Sequence, residues 1–345
     1  MTGAARDHGG GVDAAVARWG GSRADWLDLS TGINPRPWPR PALPETAWTA
    51  LPDRGASAAL EAAARRFWAV PEGAAVLAGP GASALIAQLP FCLDGRAVRI
   101  RPDTYNEHAA AFRAAGWEVT EGTAPVRLEV SPNNPTGEFW EGPDRPPGML
   151  VVDESFCDTD PARSLIGRAG PGTVILKSFG KFWGLAGLRL GFAIGDPAVL
   201  ERLAGRLGPW AVSGPALALG TAALEDVGWA AAERLALRDR AARLDALLAT
   251  AGLAAGGDCP LFRLCRTPDV GLWHDALARR HILTREFPYA PDWLRLGLPP
   301  DDGWTRLEAA LAEAGAEVHG TANGTAGGAT AQPSAARRTG PQSRT

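Results

Sequence analysis

The sequence predicts an α/β fold, in which a large domain on a mostly parallel sheet is followed by a smaller α/β domain. Three observations carry the prediction. From about residue 55, short apolar runs alternate with stretches of helical period. Runs such as GMLVVDE and TVILKS stay apolar until a polar residue ends them, as strands covered on both faces do. Glycine-, proline- or amide-rich segments follow their C-terminal ends, where open α/β sheets collect ligands.

The elements follow in order. Residues 1–50 are rich in Gly, Pro and Trp, and the prolines of STGINPRPWPRP (30–41) exclude helix, so an extended N-terminal arm is expected. SAALEAAARRFWAV (57–70) reads as a helix and AAVLAG (74–79) as a strand. SALIAQLPFCL (83–93) is helical, AVRIRP (97–102) is a strand, and EHAAAFRAAG (107–116) is a helix closed by Gly116. Strands follow at VRLEV (126–130), GMLVVDE (148–154), TVILKS (173–178) and LRLGFAIG (188–195). These complete a large domain over 51–200. After 197 the pattern turns helical, notably at 228–252, and an α/β portion at 257–317 completes a smaller domain over 201–318. The tail, 319–345, is small, polar and aperiodic and is expected to be disordered.

Composition narrows the function classes. Apolar residues make up 46% and charged residues 21%, an ordinary soluble balance. A net charge of −3 without basic runs argues against nucleic acid as a partner. No run reaches the roughly 20 apolar residues that span a bilayer. The N-terminus lacks the apolar core of a signal peptide, so a cytoplasmic location is expected. Cys92, Cys157, Cys259 and Cys265 are far apart, with no CxxC, so neither a disulfide scaffold nor a metal site is expected.

The strand ends nominate a site. After AAVLAG, the segment GPGASA is either a plain strand-to-helix turn or a phosphate cup from Gly81, Ala82 and Ser83. Its GxGxxA spacing also fits a dinucleotide fingerprint, but AVRIRP ends in Pro102 rather than in an acid for a ribose. In SPNNPTG, Asn134 either caps its own turn or offers a hydrogen bond to a planar ligand. Asp153 follows apolar residues, so its carboxylate either caps a turn or holds a protonated ring nitrogen. Only two of the 35 basic residues are lysines, Lys177 and Lys181. Lys181 lies among Phe179, Gly180, Phe182 and Trp183, where burial would lower its pKa and make the amine a nucleophile. Ser178 and Arg189 flank it as possible phosphate ligands. Arg295, embedded in an apolar strand, needs an anion or an internal ion pair, and Arg285 precedes it in HILTREF. His8 stands beside permissive glycines in DHGGG.

In chain order GPGAS, DTYNEH, SPNNPTG, VVDES, SFGK and GLAGLRLGF resemble the motifs of fold-type I pyridoxal-phosphate enzymes of the histidinol-phosphate aminotransferase class, over residues 50–300. The resemblance implies that fold, a pyridoxal 5'-phosphate cofactor and a homodimer with sites at its interface. It implies Lys181 as the Schiff-base lysine, Asp153 as partner of the pyridine nitrogen, Asn134 as ligand of the ring hydroxyl and Tyr105 as the stacking aromatic. Gly81, Ala82, Ser178 and Arg189 correspond to the phosphate cup, and Arg295 to the grip on the substrate carboxylate. HGGG (8–11) with LDLSTGINP (27–35) is similar to the arm of the threonine-phosphate decarboxylases of cobalamin biosynthesis. That narrower resemblance implies decarboxylation of O-phospho-L-threonine to (R)-1-amino-2-propanol O-phosphate. The substrate, an amino-acid phosphate, would touch His8, Gly9, Gly32, Asn134, Arg285 and Arg295.

The chain departs from the class at Phe156, where a tyrosine is usual, and at Gly180, where a hydroxyl residue often precedes the lysine. Leu51 stands where relatives carry a tyrosine that reaches the partner subunit's phosphate, and Gly32 where some decarboxylases have Asn. The rival readings are an aminotransferase of the same class, a nicotinamide-dependent oxidoreductase and a non-catalytic binding protein.

Overall fold

The computed structural model describes residues 8–142 and 148–326, with 321–326 as backbone only. The N-terminal segment holds helix α1 (Val12–Trp19), strand β1 (Leu27–Asp28) and helix α2 (Thr46–Thr49). The first part of the main sheet alternates with helices: α3 (Arg54–Phe67), β2 (Ala75–Gly79), α4 (Ala82–Gln88), β3 (Ala97–Ile100), α5 (Asn106–Ala114) and β4 (Glu118–Thr120). Strands β5 (Val126–Val130), β6 (Met149–Asp153), β7 (Thr173–Ser178) and β8 (Gly191–Gly195) complete it. Helices α6 (Pro197–Leu207), α7 (Gly214–Glu225) and α8 (Val227–Thr250) lead to β9 (Ala255–Gly256) and β10 (Phe262–Arg266). Helix α9 (Val270–Ala278), β11 (Ile282–Leu283), β12 (Arg285–Phe287), β13 (Ala290–Gly297) and α10 (Trp304–Ala326) follow.

Among the described residues the main sheet has seven strands in the order β2-β8-β7-β6-β5-β3-β4. β8 runs antiparallel to both neighbours, and the other pairs are parallel. Helices cover both faces, which is why the central strands β6, β7 and β8 are apolar without alternation. Val152, Ile175, Phe192 and Ile194 pack toward α3, α7 and α8. Leu128, Val151, Val174 and Leu176 pack toward α4, α5 and α6. The two-residue period then assigns the strand ends. Asp153 and Ser178 continue the α4/α5 face, while Glu154 and Lys177 continue the opposite one.

Local chemistry starts the helices where the chain must turn. The side chains of Asp53, Asp196, Ser213 and Asp226 accept backbone N–H groups at the first turns of α3, α6, α7 and α8, each cap stabilising by about 1 kcal/mol. In the C-terminal part, β9, β10, β12 and β13 form an antiparallel sheet of order β12-β13-β10-β9. β1 pairs in parallel with β11, so the N-terminal segment is stitched to this part.

Two expectations need correction. The arm is not extended throughout, because α1 occupies Val12–Trp19. Val12, Ala15, Val16 and Trp19 recur at helical spacing and pack on Trp26, Ala278 and Leu283, and the prolines act only further on. The tail is not irregular from His319, because α10 continues to Ala326. His319 Nε2 lies 3.2 Å from the carbonyl of Ala251, just past the end of α8, which ties that turn to α8. Residues 327–345 lie outside the described residues.

Candidate active site

Parallel pairing of β5, β6 and β7 brings their C-terminal ends together, and with them Asn134, Asp153 and Ser178. Asp153 is buried. Its Oδ1 accepts the Ser155 N–H (2.9 Å) and hydroxyl (2.5 Å), and its Oδ2 lies 2.8 Å from His108 Nε2. Burial alone would raise this carboxyl, but the bonds from His108 and Ser155 outweigh it and hold the group below its ordinary range. Asp153 is therefore a buried carboxylate.

Lys181 sits in the turn after β7. The N-terminal segment grips that turn: Asn34 N–H donates to the Lys181 carbonyl (3.0 Å) and Trp38 N–H to the Trp183 carbonyl (3.0 Å). Asn34 Nδ2 adds a bond to the Phe182 carbonyl at 2.9 Å. Gly184 is required there, since it has φ +67° and a Cβ would come within 2.7 Å of Pro37 Cα. Burial, then the positive charge of Arg295, pushes the Lys181 amine down to about 8. Its Nζ lies 5.1 Å from the centre of the Phe156 ring.

Two adjoining clefts meet at Lys181, Asn134 and Tyr105. The inner cleft has Ala82, Ser83, Ser178 and Arg189 in its lining, together with Asp153 and Phe156. Gly81 has φ +86°, and a Cβ there would lie 2.5 Å from Arg189 Nη2, so glycine lets the guanidinium close on the turn before α4. Tyr105 joins the same group: burial, then the charges of Glu107 and Asp153, raises its phenol to about 12. An amine, a buried carboxylate and an anion-binding turn thus line one narrow cleft. This donor set fits pyridoxal phosphate, whose aldehyde, protonated ring nitrogen and phosphate call for an amine, a carboxylate and an anion-binding turn.

The outer cleft is lined by His8, Arg285 and Arg295, with Thr31, Phe287 and Tyr289. Arg285 and Arg295 are direct cross-strand partners on β12 and β13. Arg295 is buried, donates to Asn134 Oδ1 and to the Ser30 carbonyl (2.7 Å), and keeps Nε without a partner among the described residues. Burial, then the Arg285 cation, lowers it to about 10. Two adjacent guanidiniums and a spare buried N–H call for an anion. His8 Nε2 lies 3.1 Å from Glu107 Oε1. Gly9 passes against Ser30, whose carbonyl oxygen would lie 2.5 Å from a Cβ. Gly32 packs on Phe262 and Phe156, which would come within 2.8 and 2.9 Å of a Cβ, and it lines neither cleft.

Sequence reasoning missed His108, although it stands three residues after Tyr105 and so on the same face of α5. It also missed Ser155, although it lies two residues from Asp153, and Ser30 and Glu107, whose partners Arg295 and His8 are distant in the chain. Lys177 had no assignment. Its Nζ lies 2.6 Å from Glu154 Oε2 and 3.4 Å from Asp158 Oδ1, beneath the sheet and 5.7 Å from the Trp68 ring centre. Burial would lower its pKa, but Glu154 and Asp158 more than offset this and raise it. One lysine is fixed as a cation and the other is pushed toward the free amine.

Fold and site together define the class: the chain belongs to the aminotransferase class I and II family, whose model matches residues 128–310. It is 44% identical over 326 residues to a Sinorhizobium protein named threonine-phosphate decarboxylase, spanning 88% of this chain and 97% of that one. A protein of the same name from Pseudomonas aeruginosa is 43% identical with the same coverage. In three dimensions it is similar to histidinol-phosphate aminotransferase from Sinorhizobium meliloti in complex with pyridoxal-5'-phosphate. That likeness has a TM-score of 0.73 at 19% identity, covering 89% of this chain and 94% of that one, and it establishes the fold.

Proposed function

We propose that this protein is a pyridoxal-phosphate-dependent carboxy-lyase that converts O-phospho-L-threonine to (R)-1-amino-2-propanol O-phosphate and CO2 in cobalamin biosynthesis. The observation that carries the reading is the outer cleft, where His8, Arg285 and Arg295 converge beside Lys181. Three cationic or proton-bearing side chains suit a small amino acid with two anionic ends, a carboxylate and a phosphate. The two relatives at 43–44% identity bear the name threonine-phosphate decarboxylase.

When bound, pyridoxal phosphate supplies a ring that accepts the electron pair released at the substrate's Cα. The chain's residues do the rest. The Asp153 carboxylate, oriented by His108 and Ser155, holds a proton on the ring nitrogen. Gly81, Ala82, Ser178 and Arg189 would hold the cofactor phosphate, Asn134 would bond the ring hydroxyl and Tyr105 would stack on the ring. Arg295 and Asn134 hold the substrate carboxylate, while His8, Gly9 and Arg285 meet its phosphate, with Gly32 setting the wall behind. Holding both ends turns the Cα–carboxylate bond into the cleaving position. Lys181 Nζ would then be placed to deliver a proton to the carbon that the carboxylate leaves.

We further read residues 51–200 as the cofactor-binding domain and 201–318 as the smaller domain. The same reading makes the protein cytoplasmic and homodimeric. No described helix is long and apolar enough to cross a membrane. Trp48, Leu51 and Trp210 are large exposed apolar side chains, of the kind a second copy would cover. Incubating purified holoenzyme with O-phospho-L-threonine tests the function. Aminopropanol phosphate is the expected product, whereas amino transfer that depends on an added keto acid would favour the aminotransferase reading.

A further inference from the structure

We propose that Ser30 is a positioning residue that locks the N-terminal arm to Arg295 and so sets the spacing between the grips on the substrate's two anionic ends. The inference rests on the decarboxylase reading for the identity of those ends. Ser30 is only 2% exposed, and every polar group it has is engaged. Its hydroxyl oxygen accepts the Gly10 N–H at 2.7 Å and donates to Asp28 Oδ1 at 2.6 Å. Its own N–H donates to the same Asp28 oxygen at 2.9 Å. Its carbonyl accepts Arg295 Nη2 at 2.7 Å.

One residue thus holds the arm through its side chain and Arg295 through its main chain, while Asp28 fixes both. The arm is shaped for this contact. Gly10 has φ +86°, a conformation that strains any side chain, and at Gly9 a Cβ would strike the Ser30 carbonyl and move the arm away. His8 is then two residues from the Gly10 anchor, with its Nε2 3.1 Å from Glu107 Oε1. Without the Ser30 hydroxyl, the Gly10 N–H loses its only anchor to Ser30 and His8 loses its fixed position over the cleft. The Ser30 carbonyl and its bond to Arg295 remain.

The test is Ser30→Ala in the full-length holoenzyme. The KM for O-phospho-L-threonine should rise about tenfold, as expected for one lost hydrogen bond, with kcat within about twofold of wild type. Hydrogen exchange of the peptide spanning residues 9–12 should accelerate about tenfold, while peptides from β5 to β7 keep their protection. In a His8→Ala background the same change should raise KM less than about threefold, because the arm then positions only the Gly9 main chain. Asp28→Asn, which retains an Oδ1 acceptor, should stay close to wild type. Asp28→Ala frees the Ser30 main chain as well and should exceed Ser30→Ala. Unchanged arm exchange, or an equal KM rise with and without His8, overturns the proposal. Absence of CO2 release by the wild-type enzyme would instead sink the decarboxylase reading, and arm exchange would still test the lock.

Discussion

Replacing Lys181 with methionine should stabilise the cofactor-free protein while abolishing its chemistry. The wild-type side chain is partly buried, and its desolvation together with Arg295 moves its pKa from the ordinary 10.5 to about 8. In the unfolded chain the amine returns to its ordinary value, so between these two pH values the unfolded state binds more protons and stability rises with pH. Below pH 8 the folded protein carries the full cost of the shift, about 3 kcal/mol. That cost shrinks as pH rises from 8 and is gone above about 10.5. Lys181→Met, with a neutral side chain of similar length, escapes it. Urea unfolding of both apoproteins at matched protein concentration should give the variant about 3 kcal/mol more stability at pH 7, or a midpoint roughly 1 M higher. The gap should close by pH 10.5. A variant less stable at pH 7, or a gap independent of pH, would refute the claim that this amine is held against its own solvation for function.

Other consequences can be checked in parallel. Lys177→Met leaves Glu154 and Asp158 buried without their cation and should cost about 3–5 kcal/mol; adding Glu154→Gln should recover part of it, and a loss under 1 kcal/mol in calorimetry would contradict the ion-pair account. Asp153→Asn should reduce kcat by at least about a hundredfold with cofactor still bound, since an amide cannot hold the ring-nitrogen proton as a carboxylate does; near-normal turnover would remove Asp153 from its role. Phe156→Tyr supplies a hydroxyl that Phe156 lacks beside Lys181, so the pH midpoint of the bound cofactor's absorbance should move. Superimposable titrations of the two proteins would count against a role for this wall.

The sheet was legible because its strands are buried on both faces: TVILKS and GMLVVDE are apolar until the residue that enters the site or its rear face. Lys181 was legible for a chemical reason, since arginine cannot serve as a neutral amine. What escaped depends on contacts between distant segments. His108 matters only because β6 delivers Asp153 opposite α5. Lys177 is explained by Glu154, just past the end of the neighbouring strand, and by the Asp158 turn. Ser30 reads as part of a turn until β13 brings Arg295 to its carbonyl. Helix α1 was hidden because glycines and prolines dominate the segment around it, although its apolar spacing is regular.

The central claim is that the bond broken is the one between Cα and the carboxylate. Holoenzyme given O-phospho-L-threonine labelled with carbon-13 in the carboxyl group, in deuterated buffer without any keto acid, tests it directly. The account predicts one labelled CO2 for each substrate consumed and one deuteron on the former Cα of the aminopropanol phosphate formed. Retention of the label in a keto acid, with no CO2 released, would contradict it.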